Sequence, residues 1–175
     1  MKVYLIRHGQ TELNKKHLIN GQLEDNLTPE GIEQAELAKS LIPKTVKHIY
    51  SSPLRRAKDT ALILNSELNA ELSFHDELKE VNFGLLSGTD FTADVKKAHV
   101  SMQYDWHSHN GESVDDVKNR VLRFLKTLKA TKEGESLIVA HGGIIRLLYF
   151  LEQGKLMEEI GNVSLHSFDL DKILD

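Results

Sequence analysis

Short, mainly apolar runs alternate along this chain with longer stretches of helical periodicity. Three of these runs, residues 2–6, 46–50 and 137–140, are predicted to be buried strands, and each is followed by a polar turn. Runs of this length and composition are typical of strands that are covered on both faces of a sheet. Residues 163–170, in which apolar and polar positions alternate, are predicted to form a last strand.

Helical signals occupy the segments between the predicted strands. Thr28 and Pro29 are typical of an N-cap followed by the first residue of a helix. Helices are also predicted over about 51–68, over 113–134 behind a capping box, and over 144–152. The apolar stripe predicted for the helix behind Thr28 consists of Ile32, Ala35, Ala38, Leu41 and Ile42.

The alternation of strands and helices predicts the fold class. Helical crossover connections make neighbouring strands parallel and place helices on both faces of the sheet. The predicted fold is therefore α/β, a three-layer α/β/α sandwich with a mostly parallel central sheet. The 175 residues contain no linker, repeat or low-complexity segment, so we expect a single domain over residues 1–175.

Composition narrows the classes of function. The 22 Lys and Arg residues against 26 Asp and Glu give a net charge of −4, which argues against a dedicated nucleic-acid-binding or membrane-surface protein. The absence of cysteine excludes disulfides, thiolate metal sites and a cysteine nucleophile. A signal peptide needs a longer apolar segment than the one at the start of this chain, which Arg7 and His8 interrupt. The apolar run 144–151 is too short to span a bilayer. We therefore expect a cytoplasmic protein.

Polar clusters follow three of the predicted strands, at residues 7–9, 51–56 and 141–143, and two of these clusters contain a histidine followed by glycine. Ligands of open parallel sheets bind beyond the carboxyl ends of the strands. Histidines with neighbouring arginines suggest phosphoryl transfer, because guanidinium groups keep an imidazole nucleophile neutral and stabilise the transferring phosphoryl group. A carboxyl group beside the phosphate would then protonate the leaving oxygen.

The chain resembles a known family, the histidine phosphatase or phosphoglycerate-mutase-like superfamily, through motifs that follow the family's order over nearly the whole length. The motifs are residues 5–14 (LIRHGQTELN), 20–21 (NG), 27–31 (LTPEG), 52–61 (SPLRRAKDTA), 80–88 (EVNFGLLSG), 111–113 (GES) and 139–143 (VAHGG). Each motif alone is a weak signal, whereas the ordered set is a strong one.

This resemblance implies the layout of a catalytic centre. It implies His8 as the nucleophile that is phosphorylated, and Arg7, Arg56 and His141 as the rest of the phosphate pocket. Glu80 matches the family's proton donor, and the resemblance implies neither a metal ion nor a cofactor. The residues that it implies in contact with the phosphoryl group or the substrate are Gln10, Thr11, Asn14, Asn20, Gly21 and Gly142.

Residues 83–110 are predicted from the resemblance to form a small helical cap that selects the substrate. Its large side chains either line an apolar mouth or pack the cap onto the domain, and they are Phe83, Phe91, Met102, Tyr104 and Trp106. Two positions depart from the family pattern: Ser87 replaces an acidic or amide residue, and Glu24 replaces an aspartate. Both departures concern the rim of the site.

Simpler interpretations of several residues stay open at this point. Glu80 is otherwise a solvated acid in an acidic stretch, and Asn14 is otherwise a helix cap. His107 and His109 form either a polar loop, which we favour, or part of a zinc site that lacks a third ligand. The cationic segment 15–17 either attracts an anionic substrate or, as we favour, is a solvated face.

The leading functional hypothesis is a metal-independent phosphomonoesterase that acts on a small phosphorylated metabolite. A cofactor-dependent phosphoglycerate mutase would use the same residues but would return the phosphoryl group to another hydroxyl. A phosphate-binding pseudoenzyme is the third alternative. Mutases of the family follow their glutamate with an extended, basic and proline-rich stretch. Residues 81–110 contain neither proline nor arginine, which favours the phosphatase.

Overall fold

A five-stranded sheet forms the centre of the computed structural model, which describes residues 1–131 and 134–174. The strands are β1 (Lys2–Arg7), β2 (His48–Ser51), β3 (Glu71–Phe74), β4 (Ser136–Ala140) and β5 (Leu165–Asp169). Their order across the sheet is β3-β2-β4-β1-β5. All neighbours are parallel except β5, which runs antiparallel to β1 at one edge. The carboxyl ends of β1, β2 and β4 therefore meet along one side of the sheet.

Helices cover both faces of this sheet. They are α1 (Glu12–Lys15), α2 (Pro29–Ala38), α3 (Arg55–Leu68), α4 (Ala93–Val100), α5 (Val114–Thr131), α6 (Gly142–Gln153) and α7 (Leu170–Leu174). Side chains of β1 alternate between two cores, with Val3 and Leu5 in the core of α5, α6 and α7, and Tyr4 and Ile6 in the core of α2 and α3. The predicted three-layer α/β/α sandwich is confirmed.

Both helix starts that were predicted from capping residues are confirmed. Thr28 Oγ1 accepts a hydrogen bond from the N–H of Gly31 at 3.0 Å, and Pro29 is the first residue of α2. The N–H of Ser113 donates to Asp116 Oδ2 at 2.9 Å, and the N–H of Asp116 donates to Ser113 Oγ at 3.2 Å. These bonds satisfy backbone donors that have no partner within the helix.

The buried face of α2 is narrower than its apolar stripe predicts. Its buried residues are small, at Gly31, Ala35 and Ala38, which lets the helix lie close to its neighbours. Ile32, one position off this face, is 46% exposed, and Leu41 is 55% exposed because the α-helix ends at Ala38 and continues as a 3₁₀ turn. Of the predicted apolar stripe, Ala35, Ala38 and Ile42 are therefore buried, whereas Ile32 and Leu41 are exposed.

Several boundaries differ from those predicted. The second strand begins at His48 instead of residue 46, and α3 begins at Arg55 because residues 51–54 form the end of β2 and an extended turn. The edge strand β3 was not predicted, since four residues give too short an alternation to distinguish from a loop. Residues 132–133, within the helix predicted over 113–134, lie outside the described part of the chain.

Residues 83–110 contain the predicted helical insertion. It consists of α4 and two single 3₁₀ turns, Gly84–Leu86 and His107–His109. Within residues 1–131 and 134–174, no helix has both the length and the apolar composition needed to cross a membrane.

The loop after β1 lies in close contact with the start of α2. A Cβ atom on Gly31 would overlap the carbonyl oxygen of Gln10, and one on Gly9 would overlap the carbonyl oxygen of Gly31. We expect Gly31→Ala to lower the free energy of unfolding by about 1–3 kcal/mol, because the added methyl group meets rigid backbone. Urea denaturation measures this change.

Gly134→Ala is the matched control for this prediction. Its Cβ would have no atom within 4 Å, so the free energy of unfolding should stay the same or rise by up to about 1 kcal/mol. Equal stability of the two variants would contradict the inferred contact between Gln10 and Gly31.

Candidate active site

The polar clusters that follow β1, β2 and β4 meet beside a cavity of about 440 Å³. Arg7 pairs with Ala140 at the ends of β1 and β4, and the next residues, His8 and His141, have ring centroids 5.2 Å apart. The sequence-predicted residues that line the cavity are Arg7, His8, Asn14, Asn20, Gly21, Arg56, Glu80 and Gly142. His141 does not line the cavity but lies fully buried next to His8.

His8 is buried, and its hydrogen bonds fix its tautomer. The N–H of Nδ1 donates to the carbonyl oxygen of Gly9 at 2.7 Å, and Nε2 accepts the Nε–H of Arg56 at 3.2 Å. The proton is therefore assigned to Nδ1 and the lone pair to Nε2. Burial and the charges of Arg56 and Arg7 hold the pKa of His8 well below its usual range. The imidazole is neutral at physiological pH.

Two arginines lie beside this neutral imidazole. Arg56 is fully buried and donates from Nη1 to the carbonyl of Leu23 at 2.8 Å and from Nη2 to the carbonyl of Gly21 at 2.7 Å. Arg7 donates from Nη1 to the carbonyl of Ile160, while its buried Nε has no partner. Burial lowers the pKa of both groups, that of Arg7 to about 10. Because a guanidinium group is not deprotonated in proteins near neutral pH, both arginines are positively charged.

His141 occupies the turn between β4 and α6. Its Nε2 forms a hydrogen bond with Ser52 Oγ at 2.8 Å, and the same oxygen accepts the N–H of Leu54 at 3.3 Å. The buried Nδ1 of His141 has no partner. Burial and the charge of Arg56 hold the pKa of His141 well below its usual range. The site therefore contains two neutral imidazoles.

Glu80 is held at the start of α6. Its Oε1 accepts the N–H of Val81 at 2.9 Å, and its Oε2 accepts the N–H of Gly143 at 3.2 Å. A Cβ atom on Gly143 would overlap the carboxylate. The carbonyl oxygen of Glu80 accepts hydrogen bonds from Gln22 Nε2 at 2.9 Å and Arg120 Nη2 at 3.0 Å. This ordered, partly buried placement differs from that of a solvated surface acid.

Asparagine side chains form a hydrogen-bonded network along one wall of the cavity. Asn14 Nδ2 donates to Asn20 Oδ1 at 3.0 Å, and Asn20 Nδ2 donates to Thr11 Oγ1 at 3.0 Å and to Asp25 Oδ2 at 3.1 Å. Asn162 Nδ2 donates to Asn14 Oδ1 at 3.3 Å. Asn14 also completes the capping box of α1, so it is both a cap and a cavity residue.

Gln10 and Thr11 do not line the cavity. Gln10 Oε1 accepts the hydroxyl of Thr28 at 3.0 Å, and the backbone N–H of Gln10 donates to Gln34 Oε1 at 3.0 Å. Thr11 is fully buried and caps α1. In this structure both residues hold the loop after β1 against α2.

The sequence-based assignment of the site missed several polar residues that line the cavity, namely Lys96, His99, Arg146, Glu158, Glu159 and Asn162. The sequence contains a signal for Arg146, which is the single charge in the otherwise apolar run 144–151. His99 and Lys96 lie on α4, which has no marked apolar periodicity to indicate the face that it turns to the cavity. Asn162 Nδ2 donates to the backbone carbonyl oxygen of His8, the nucleophile candidate, at 3.0 Å.

The two positions that depart from the family pattern lie close to the rim of the cavity and to the start of α3. A Cβ atom on Gly21 would overlap Ser87 Oγ. Glu24 Oε2 accepts the N–H of Arg55 at 3.0 Å, so this carboxylate is bound to the start of α3.

The histidine-rich turn of the cap contacts carboxylates outside the cavity. Nδ1 and Nε2 of His107 each lie 2.7 Å from a carboxylate oxygen, of Asp105 and Asp116 respectively. In the part of the chain that the structure describes, no group of three or more His, Asp or Glu side chains is arranged to hold a metal ion. The turn fits the polar-loop interpretation.

Of the cationic segment 15–17, His17 lines the cavity, whereas Lys15 and Lys16 do not.

The large side chains of the cap divide between the two roles considered for them. Phe83 and Phe91 line the cavity and meet edge to face with ring centroids 6.2 Å apart. Met102, Tyr104 and Trp106 are buried, and the last two rings stack at 5.8 Å. The cap thus contributes two phenylalanines to the site and holds them in place by aromatic packing.

Comparison with known proteins gives the same assignment over nearly the whole chain. A family model described as the histidine phosphatase superfamily (branch 1) matches residues 3–172. The chain is 34% identical over 180 residues to a Hydrogenobacter thermophilus protein named as a phosphoserine phosphatase, with 98% of this chain and 88% of the relative covered. It is 32% identical to the metal-independent phosphoserine phosphatase of Arabidopsis thaliana, with 99% of this chain and 79% of the relative covered.

Solved structures of this family share the fold. The crystal structure of phosphoglycerate mutase from Thermus thermophilus superposes with a TM-score of 0.82 at 29% identity, and covers 97% of this chain and 93% of its own. A family match over residues 3–172, relatives above 30% identity and this superposition agree with one another. The chain belongs to the histidine phosphatase superfamily.

Proposed function

We propose that this chain is a cytoplasmic phosphatase that hydrolyses phosphomonoesters of small metabolites without a metal ion, through a phosphohistidine on His8. The observation that carries the proposal is the state of His8: a buried, neutral imidazole whose Nε2 lone pair lies beside two charged guanidinium groups. We propose that residues 1–175 act as one catalytic unit and that the cap over 83–110 selects the substrate.

In the first step, Nε2 of His8 attacks the phosphorus atom, and the bond between phosphorus and the ester oxygen breaks as the P–N bond forms. Arg7 and Arg56 neutralise the charge on the equatorial oxygens, a role that metal ions fill in other phosphoryl-transfer enzymes. His141 lies buried behind the cavity next to His8, and its Nδ1, which has no partner, is the atom from which we propose a further hydrogen bond to the phosphoryl group. The bond from Nδ1 to the carbonyl of Gly9 stabilises the positive charge that develops on the ring.

Glu80 completes both steps as the proton carrier. Its carboxyl group lies in the cavity at the start of α6, and it donates a proton to the departing alkoxide. In the second step the resulting carboxylate takes a proton from water, which attacks phosphorus and breaks the P–N bond. Phosphate leaves, and His8 is again neutral. The names of the two phosphatase relatives support hydrolysis, and that of the Arabidopsis relative supports a route without metal.

Replacing the nucleophile tests this route. We expect His8→Ala to lower the turnover of 4-nitrophenyl phosphate by about four to six orders of magnitude, the effect seen when a covalent nucleophile is removed. The wild-type rate should persist in excess EDTA. His107→Ala, which removes an exposed histidine of the cap, should retain wild-type turnover. Loss of activity in EDTA that returns with a divalent ion would contradict the proposal.

Removing the proton donor should affect leaving groups unequally. For Glu80→Gln, we expect the phosphorylation step with glycerol 3-phosphate to slow by about 10²- to 10⁴-fold, because its alkoxide needs a proton. The burst of nitrophenolate from 4-nitrophenyl phosphate, measured before the steady state, should slow far less. Asp76→Asn removes an exposed acid four residues earlier and serves as the control. Equal losses for both esters would count against Glu80 as the acid.

A phosphoglycerate mutase remains the second candidate, because the superposed Thermus structure carries that name. Addition of 2,3-bisphosphoglycerate separates the two activities. We expect 3-phosphoglycerate to yield inorganic phosphate with or without the bisphosphate. Bisphosphate-dependent formation of 2-phosphoglycerate that exceeds phosphate release would instead identify a mutase.

A further inference from the structure

The motif of residues 111–113 (GES) has no part in the proposed catalytic steps, yet it is hydrogen-bonded to the segment that carries Glu80. Its glutamate, Glu112, lies shortly before α5 and forms a bidentate ion pair with Arg120 of that helix, Nε to Oε1 at 2.8 Å and Nη2 to Oε2 at 3.0 Å. The side chains of Glu112 and Arg120 are only 20% and 12% exposed. A largely buried ion pair is favourable only when its remaining polar groups are also hydrogen-bonded.

The other N–H bonds of Arg120 point at the main chain that carries Glu80. Nη1 donates to the carbonyl of Glu77 at 2.6 Å and to that of Lys79 at 2.8 Å. Nη2 donates to the carbonyl of Glu80 itself at 3.0 Å. Because a guanidinium group has five N–H bonds, the ion pair and this segment together use every donor of Arg120.

Glu112 binds the chain on the other side of Glu80. Its Oε2 accepts the N–H of Asn82 at 2.8 Å, and its own backbone N–H donates to the carbonyl of Asn82 at 2.8 Å. The carboxylate thus has a bond to the main chain besides its two bonds to the guanidinium group. The ion pair therefore holds the chain both before and after the residue proposed as the proton donor.

Regular secondary structure does not hold this segment, because residues 79–83 belong to neither a helix nor a strand. Leu78 and Val81 are buried in the core, and they fix how deeply the segment lies. Burial of apolar side chains is not directional, so hydrogen bonds must set the direction in which the Glu80 side chain points. The ion pair supplies most of these bonds, and Gln22 Nε2 adds one to the carbonyl of Glu80 at 2.9 Å.

We infer that Arg120 and Glu112 are positioning residues for the proton donor: their ion pair holds the main chain of residues 77–82 so that the Glu80 carboxyl group reaches the leaving oxygen. The inference rests on the proposed function, in which Glu80 is that donor. Neither Arg120 nor Glu112 lines the cavity, so both act through Glu80 and not on the substrate. A displacement of about 1 Å at a reacting group can lower a rate about 100-fold.

A leaving-group ratio measures this positioning: the rate of the nitrophenolate burst from 4-nitrophenyl phosphate divided by the rate of the phosphorylation step with glycerol 3-phosphate. Nitrophenolate leaves without a proton, whereas the glycerol alkoxide needs one. We expect the ratio to rise about 10- to 100-fold in Arg120→Lys, because an ammonium group cannot form the same planar set of bonds. It should rise by a smaller factor in Glu112→Gln. A merely structural role would slow both esters alike and leave the ratio unchanged.

A double-mutant cycle then assigns the effect to Glu80. We expect Arg120→Lys to change the ratio less than about threefold when Glu80→Gln is already present, because the acid that it positions is gone. Arg123→Met removes an exposed arginine of the same helix and should keep the wild-type ratio. Two effects that multiply in the double variant, or an unchanged ratio in both Arg120→Lys and Glu112→Gln, overturn the inference and leave the phosphatase intact.

The amide resonance of Gly143 measures the placement of Glu80 without turnover. This N–H donates to Glu80 Oε2 at 3.2 Å, so Glu80→Ala gives its chemical shift in the absence of that acceptor. We expect Arg120→Lys to move the resonance towards this value, while the amide of Gly31 at the start of α2 keeps its shift. If no ester is hydrolysed but the Gly143 resonance moves, the phosphatase proposal fails and the positioning of Glu80 stands. If the resonance keeps its wild-type shift, the positioning role fails whatever the activity.

Discussion

The buried guanidinium group of Arg56 is the interaction on which the geometry of the site depends. It joins the carbonyls of Gly21 and Leu23 to Nε2 of His8, so one side chain of α3 fixes both the loop after α1 and the nucleophile candidate. A fully buried cation is stable only when acceptors surround it. Those acceptors are backbone carbonyls and an imidazole, which leave its net charge available to a phosphoryl group. The site is therefore ordered before the substrate arrives.

The two glycines that follow His141 are the second constraint, because they leave room for charged groups at the start of α6. Side chains at these positions would overlap the Glu80 carboxylate or crowd Arg7 and Arg146. The N–H groups of a helix start favour negative charge. One short turn thus brings an acid and two arginines close to the same point without placing them in contact.

Much of this arrangement could be predicted from the sequence, and the reasons for the exceptions are physical. Buried parallel strands have a strong pattern, so the ends of β1 and β4, and with them His8 and His141, could be located. The inward face of α4 had no such pattern, and His99 was missed. Arg146 was visible only as an interruption of an apolar run. Gln10 lies within the motif of residues 5–14 but its side chain turns towards α2, which depends on packing that spacing alone does not encode.

The loop after α6 is fastened to the site through its main chain. Arg146 holds the carbonyls of Met157 and Glu158, and Arg7 holds that of Ile160. Every residue has a backbone carbonyl, so the hydrogen bonds that hold this loop do not depend on the side chains that the loop carries. Exchanges at positions 158 and 159 can therefore alter the charge and shape of the cavity mouth while the two arginines keep the loop in place. The sequence of this loop can therefore vary without displacing Arg7 and Arg146, the two arginines that bind it.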